Sequence, residues 1–115
     1  MNEIIIWHNP RCSKSRQTLE ILEKNGIEAE VVKYLETEPT EDELKEVLVK
    51  LGMSAKELLR DGEDIYKQLK LNDVEDEGVL IRAMTRFPKL IQRPIVIKGD
   101  KAVLGRPPEK VLELI

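Results

Sequence analysis

An α/β fold with one four-stranded mixed sheet and flanking helices is what this chain predicts, on three observations. A strand–helix–strand unit runs from Ile4-Ile5-Ile6, through helical spacing after Cys12, to a valine-rich run ending at Tyr34. A strand–turn–strand–helix unit lies around Gly99-Asp100 and Pro107-Pro108. Between them stands a long stretch with helix periodicity and capping motifs but no strand character.

The first strand is placed at about Glu3–Trp7 and the first helix at Ser13–Asn25, with Leu19, Ile21 and Leu22 apolar and Gly26 as a stop. Ala29–Tyr34 reads as the second strand. The short joints require a right-handed crossover and a parallel pair. Thr40-Glu41-Asp42-Glu43 is a capping box ahead of Leu44, Val47, Leu48 and Leu51, and Gly52 ends that helix. Ser54-Ala55-Lys56-Glu57 opens a short helix through Arg60. Asp64–Leu71 is expected to be a third helix, with Ile65 and Leu69 inward. A fourth begins in Asp73–Glu77 and runs through Met84 to Pro88, and Lys89–Ile91 adds a turn. Strand character returns at Pro94–Ile97, Gly99-Asp100 is a hairpin signal, and Ala102–Leu104 is the return strand. The last helix starts with proline, with Val111, Leu112 and Ile115 on one face. In that order the outer parts make a thioredoxin-like (glutaredoxin-type) sheet. The expectation is a single domain over 1–115 with a helical insertion at approximately 38–91.

Length and composition suit one globular domain of 115 residues. A formal net charge of −3 argues against nucleic acid as a partner. Met1-Asn2-Glu3 lacks a signal peptide's basic start, and no apolar run reaches the roughly 18–20 residues of a membrane span. One cysteine suits a reducing compartment and makes a cysteine-based zinc site unfavourable. The expectation is therefore a cytoplasmic monomer without metal, bound cofactor, nucleic acid or membrane.

Cys12 is the residue that concentrates chemistry. It stands at a strand-to-helix turn, where free backbone N–H groups and the positive end of the helix favour a thiolate. Arg11, Lys14 and Arg16 lie within four residues of it, and His8 lies four before it. The pattern Cys12-x-x-Ser15 cannot close an internal disulfide. A phosphatase-type loop needs Cys-x5-Arg, and the sixth residue after Cys12 is Thr18. His8 either tunes the thiol or hydrogen-bonds the loop, and Arg16 either acts on the thiol or is an exposed charge. Arg60, Arg93 and Arg106 stand out by location: after a short helix, before Pro94 at a strand start, and in the hairpin-to-helix turn. In a thioredoxin-like fold the strand after the middle segment begins with a cis-proline against the cysteine loop. That would make Pro94 the cis-proline and bring Arg93 beside Cys12.

The segment His8-Asn9-Pro10-x-Cys12-x-x-Ser15-Arg16-x-Thr18-Leu19 resembles the active-site segment of the glutaredoxin-linked, ArsC-type arsenate reductases. Tyr34-Leu35-Glu36, Leu58-Leu59-Arg60, Arg93-Pro94-Ile95-Val96 and Gly105-Arg106-Pro107-Pro108-Glu109 resemble further blocks of that family, in order. The resemblance implies Cys12 as the nucleophile, His8 as a tuner of its thiol, and Arg60, Arg93 and Arg106 as binders of an oxyanion. It implies reduction of arsenate to arsenite, with glutathione and then glutaredoxin as external thiol donors. Members usually carry a small residue before the cysteine and Gly-Thr after it; here Arg11, Ser13 and Lys14 stand there. Two other functions fit the scaffold: a thiol oxidoreductase acting on glutathione mixed disulfides, and a non-enzymatic Spx-like transcriptional regulator.

Overall fold

A computed structural model describes residues 4–115, and they divide into two compact units. One comprises the chain up to Thr37 together with Arg93–Ile115; the other is Glu38–Gln92. The expected start of the first strand at Glu3 lies outside the described residues.

The first unit carries the sheet: β1 (Ile4–Trp7), α1 (Ser13–Lys24), β2 (Glu30–Val32), β3 (Ile95–Lys98) and β4 (Lys101–Leu104). The strand order is β2-β1-β3-β4. β1 and β2 are parallel, with Trp7 opposite Val32; β3 is antiparallel to both β1 and β4, with Ile6 opposite Val96. This mixed sheet is the thioredoxin-like arrangement that the element order predicts. Alternation puts Ile4, Ile6 and Val96 on one face, where they form a core with Leu22 of α1 and Val111. Burying such side chains stabilises the fold by about 1.5–3 kcal/mol each.

Several boundaries differ from the sequence reading; β3 and β4 are each displaced by one residue at an end. β2 stops at Val32 because Lys33 opens a turn, its carbonyl accepting the N–H groups of Glu36 and Thr37. α1 ends at Lys24, with Asn25 as its cap. The last helix is a 3-10 helix, Pro108–Glu113. Its three-residue period puts Val111 and Leu114 toward the core and leaves Leu112 48% exposed.

The second unit is helical: α2 (Glu41–Leu51), α3 (Ala55–Leu58), α4 (Asp64–Gln68) and α5 (Glu77–Arg86). Both capping boxes form, Thr40 with Glu43 and Ser54 with Glu57, and Gly52 ends α2 at φ +69°. Leu44, Val47 and Leu48 of α2 and Leu80, Ile81 and Met84 of α5 are buried. α3 ends earlier than expected because Leu59 is extended and bridges Ile91. α4 stops at Gln68, and Leu69, expected to face inward, is 40% exposed; Leu71 is the buried residue. α5 starts at Glu77, capped by Asp76.

Candidate active site

β1 delivers His8 and Asn9 into a turn that Asn9 organises by itself. The Asn9 carbonyl accepts the Cys12 N–H at 2.9 Å, its Oδ1 accepts the Arg11 N–H at 3.0 Å, and its own N–H donates to Ser15 Oγ at 3.0 Å. Asn9 is buried, and its bond to Ser15 Oγ forms out of competition with water. The turn places Cys12 at the N-cap of α1, half-buried.

Burial pushes the Cys12 thiol up, but it is outweighed, and the thiol lies below its ordinary value. The opposing influences are the Ser15 N–H, the hydrogen bond and charge of Arg93, and the Lys14 N–H. The two amides are orphan donors of the first turn of α1. They stabilise charge on sulfur without closing a full cap hydrogen bond to it. Arg93 is in turn held above its ordinary value: burial lowers it, and contacts with Cys12 and Tyr34 more than compensate.

His8 is buried and its Nδ1 lies 2.7 Å from Ser15 Oγ. Burial lowers its pKa, as do the charges of Lys33 and Arg16. The neutral imidazole is therefore favoured near pH 7, and its Nδ1 shares a hydrogen bond with the Ser15 hydroxyl. Its hydrogen bond in this structure is to Ser15, whose own N–H faces the sulfur. Neutral His8 is favoured by folding, so its contribution to stability is present above about pH 6.5 and is lost as pH falls below that value. The expected outcome is a melting temperature that drops between pH 7 and pH 5, with a smaller drop in His8→Gln; thermal melts across that range check it. Arg16 is exposed and donates from Nη1 to the Pro10 carbonyl at 2.9 Å, tying α1 to the turn.

The Arg93–Pro94 peptide bond is cis, and so is Arg106–Pro107, which nothing in the sequence reading anticipated. Arg106 Nη1 donates to the Arg93 carbonyl at 3.1 Å. Cys12, Arg93 and Arg106 are thus linked within the sheet unit. Arg60 belongs to the helical unit, where Nε pairs with Glu63 Oε2 at 3.2 Å and its N–H donates to the Leu90 carbonyl.

Sequence reading missed two residues that build this site. Tyr34, 1% exposed, stacks on Trp7 with centroids 6.3 Å apart and interacts with Arg93. Gly105 has its N–H on the Pro94 carbonyl, and a Cβ there would stand 2.7 Å from Thr18 Oγ1 and 2.8 Å from Pro94 Cγ. The proline ring is rigid and Thr18 is buried, so neither can yield. Gly105→Ala is expected to cost about 1–3 kcal/mol by overpacking, read in a urea titration. The signal in the sequence is the small residue itself, directly before Arg106.

Among the described residues no group of three His, Cys, Asp or Glu side chains gathers to hold a metal ion, and no helix is long and apolar enough to cross a membrane. YfgD, an uncharacterized protein of Escherichia coli K12, is 54% identical over 115 residues, covering 98% of this chain and 97% of its own. An arsenate reductase of Neisseria meningitidis serogroup B is 50% identical over 113 residues, covering 96% and 97%. A solved arsenate reductase from Vibrio cholerae aligns with a TM-score of 0.95 at 47% identity over 97% of each chain. Residues 7–114 match the ArsC family, and with relatives this similar over this much of their length the chain belongs to that family.

Proposed function

We propose that this protein is an arsenate reductase in which the Cys12 thiolate attacks the oxyanion and external thiols supply the electrons. The observation that carries the reading is Arg93, whose guanidinium holds Cys12 while its buried Nε–H has no partner among the described residues. An unpaired buried donor is costly, and an oxyanion arriving beside the sulfur relieves that cost. Arg106, fixed to the Arg93 carbonyl, adds a second cation to the same unit. Arg60, which the resemblance also implies, lies in the helical unit, and the reading does not rest on it.

In the proposed reaction the thiolate bonds to arsenic, an oxygen leaves as water, and the arginines stabilise the charge on the remaining oxygens. The As(V)–As(III) step needs two electrons, and the chain has one cysteine. A glutathione thiol supplies the second sulfur: arsenite departs and a Cys12–glutathione disulfide forms. Glutaredoxin then reduces that disulfide. The net change is one arsenate and two thiols to one arsenite, one disulfide and one water. Serine at position 15 prevents an internal disulfide, so the second sulfur must come from outside the chain.

The test is arsenate-dependent NADPH oxidation coupled through glutathione reductase, glutathione and glutaredoxin. The expected result is turnover that requires arsenate and both thiols. Activity on glutathione mixed disulfides with none on arsenate would instead favour the disulfide-exchange reading.

A further inference from the structure

Tyr34 is buried beside Arg93, and the mechanism gives it no part. Strand pairing brings it there. Trp7 is the last residue of β1 and stands opposite Val32 of β2 and Ile95 of β3. β2 runs parallel to β1, and β3 runs antiparallel. Tyr34, two residues after Val32, and Arg93, two before Ile95, therefore leave the sheet at the same end. The cysteine turn leaves β1 at that end as well. Trp7, Cys12, Tyr34 and Arg93 all belong to the sheet unit. The Tyr34 ring, 1% exposed, stacks on Trp7 at an interplanar angle of 22°. Its hydroxyl meets Arg93 in a side-chain hydrogen bond, and since a guanidinium has no acceptor, Arg93 donates. Cys12 takes a second hydrogen bond from the same guanidinium.

We infer that Tyr34 is a positioning residue for Arg93: its hydroxyl, fixed by the stack on Trp7, holds the guanidinium in the orientation that reaches the Cys12 sulfur. The inference deepens the reading of Cys12 as a thiolate nucleophile and rests on it. A buried ring packed on another has little freedom to turn, so its hydroxyl is a fixed point. Two acceptors on one planar fork set its plane as well as its place. A neutral phenol does this without cancelling the charge. A carboxylate in the same position would pair with Arg93 and compete with both the thiolate and an arriving oxyanion. Among the described residues no carboxylate pairs with Arg93.

The test reads Cys12 ionisation in the absence of arsenate and of any donor thiol, so its failure is separable from a failure of arsenate reduction in the coupled assay. Tyr34 and Tyr66 are the two tyrosines, so 13Cζ-tyrosine labelling gives two resonances. In the parent, the Tyr34 resonance is expected to step at the pH of the Cys12 alkylation midpoint. That step is expected to vanish in Cys12→Ser and in Arg93→Ala. Tyr34→Phe keeps the ring and its stack, so a native spectrum is expected. It should raise the alkylation midpoint by about half a pH unit, and by nothing further in the Arg93→Ala background. A flat Tyr34 resonance in the parent, or a step that survives in either variant, would overturn the inference. So would an unchanged or lowered midpoint in Tyr34→Phe, or the same rise in the absence of Arg93. The parent measurement decides even where Tyr34→Phe does not fold.

Discussion

Cys12→Ser is expected to eliminate arsenate reduction while leaving the fold and the anion site in place. A serine hydroxyl ionises far above neutral pH, so neither the Ser15 and Lys14 N–H groups nor Arg93 can make it an anion at pH 7. It also forms no stable bond to arsenic and cannot be oxidised to a disulfide. In the proposed reading the anion is held by arginine side chains and not by the sulfur. Sulfate binding should therefore survive, within about twofold of the parent. Serine is also among the best N-cap residues, and Cys12 occupies the N-cap of α1 without a side-chain cap bond. The melting temperature of the variant should be no lower than the parent's. The measurements are coupled turnover, sulfate titration and a thermal melt. A variant that keeps turnover would place the chemistry at another residue.

Arg93→Ala is expected to have the next largest effect, and a double one. Arg93 lowers the thiol through both a hydrogen bond and its charge, so its removal should raise the midpoint of Cys12 alkylation by iodoacetamide. It also carries the unpaired Nε–H donor. Loss of an oxyanion donor of this kind costs about 2.7–4 kcal/mol of transition-state stabilisation, or about 10²–10³ in kcat. Arg93→Lys should recover only part of that, because an ammonium can hold the sulfur or the oxyanion but lacks the planar fork that reaches both. Arg106 touches the Arg93 carbonyl rather than the sulfur, so Arg106→Ala should lower turnover with a smaller change in the alkylation midpoint. Equal alkylation midpoints for Arg93→Ala and the parent would remove Arg93 from the thiol's environment.

What the sequence discloses about this molecule is what is local in the chain. The two capping boxes, the glycine stop at Gly52 and the Gly99-Asp100 turn are set within four or five residues, and each stands where the pattern puts it. Cys12 falls between an apolar run and a helical one, which suffices to find the N-cap. Contacts between distant residues are not written in any such window. Tyr34 reads as one more strand residue, and only the folded chain brings it against Trp7 and Arg93. Gly105 reads as a turn glycine, yet its φ is not positive; it is small because Thr18 and Pro94 leave no room. Leu69 and Leu112 satisfy an α-helical face on paper. Their segments end early or wind as a 3-10 helix, and that shift in period turns both outward. His8 is ambiguous in sequence because a histidine four residues before a cysteine can face it or face away. The 2.7 Å contact with Ser15 identifies one partner that spacing alone could not.

The central claim is that one arsenate is reduced at the expense of the Cys12 sulfur and one external thiol. It is tested most directly by a single turnover with arsenate and glutathione in the absence of glutaredoxin, followed by acid quench and peptide mass spectrometry. The account predicts one arsenite released per chain and one glutathione in disulfide linkage to Cys12. Arsenite formed while Cys12 remains a free, alkylatable thiol, or formed equally by Cys12→Ser, would contradict it.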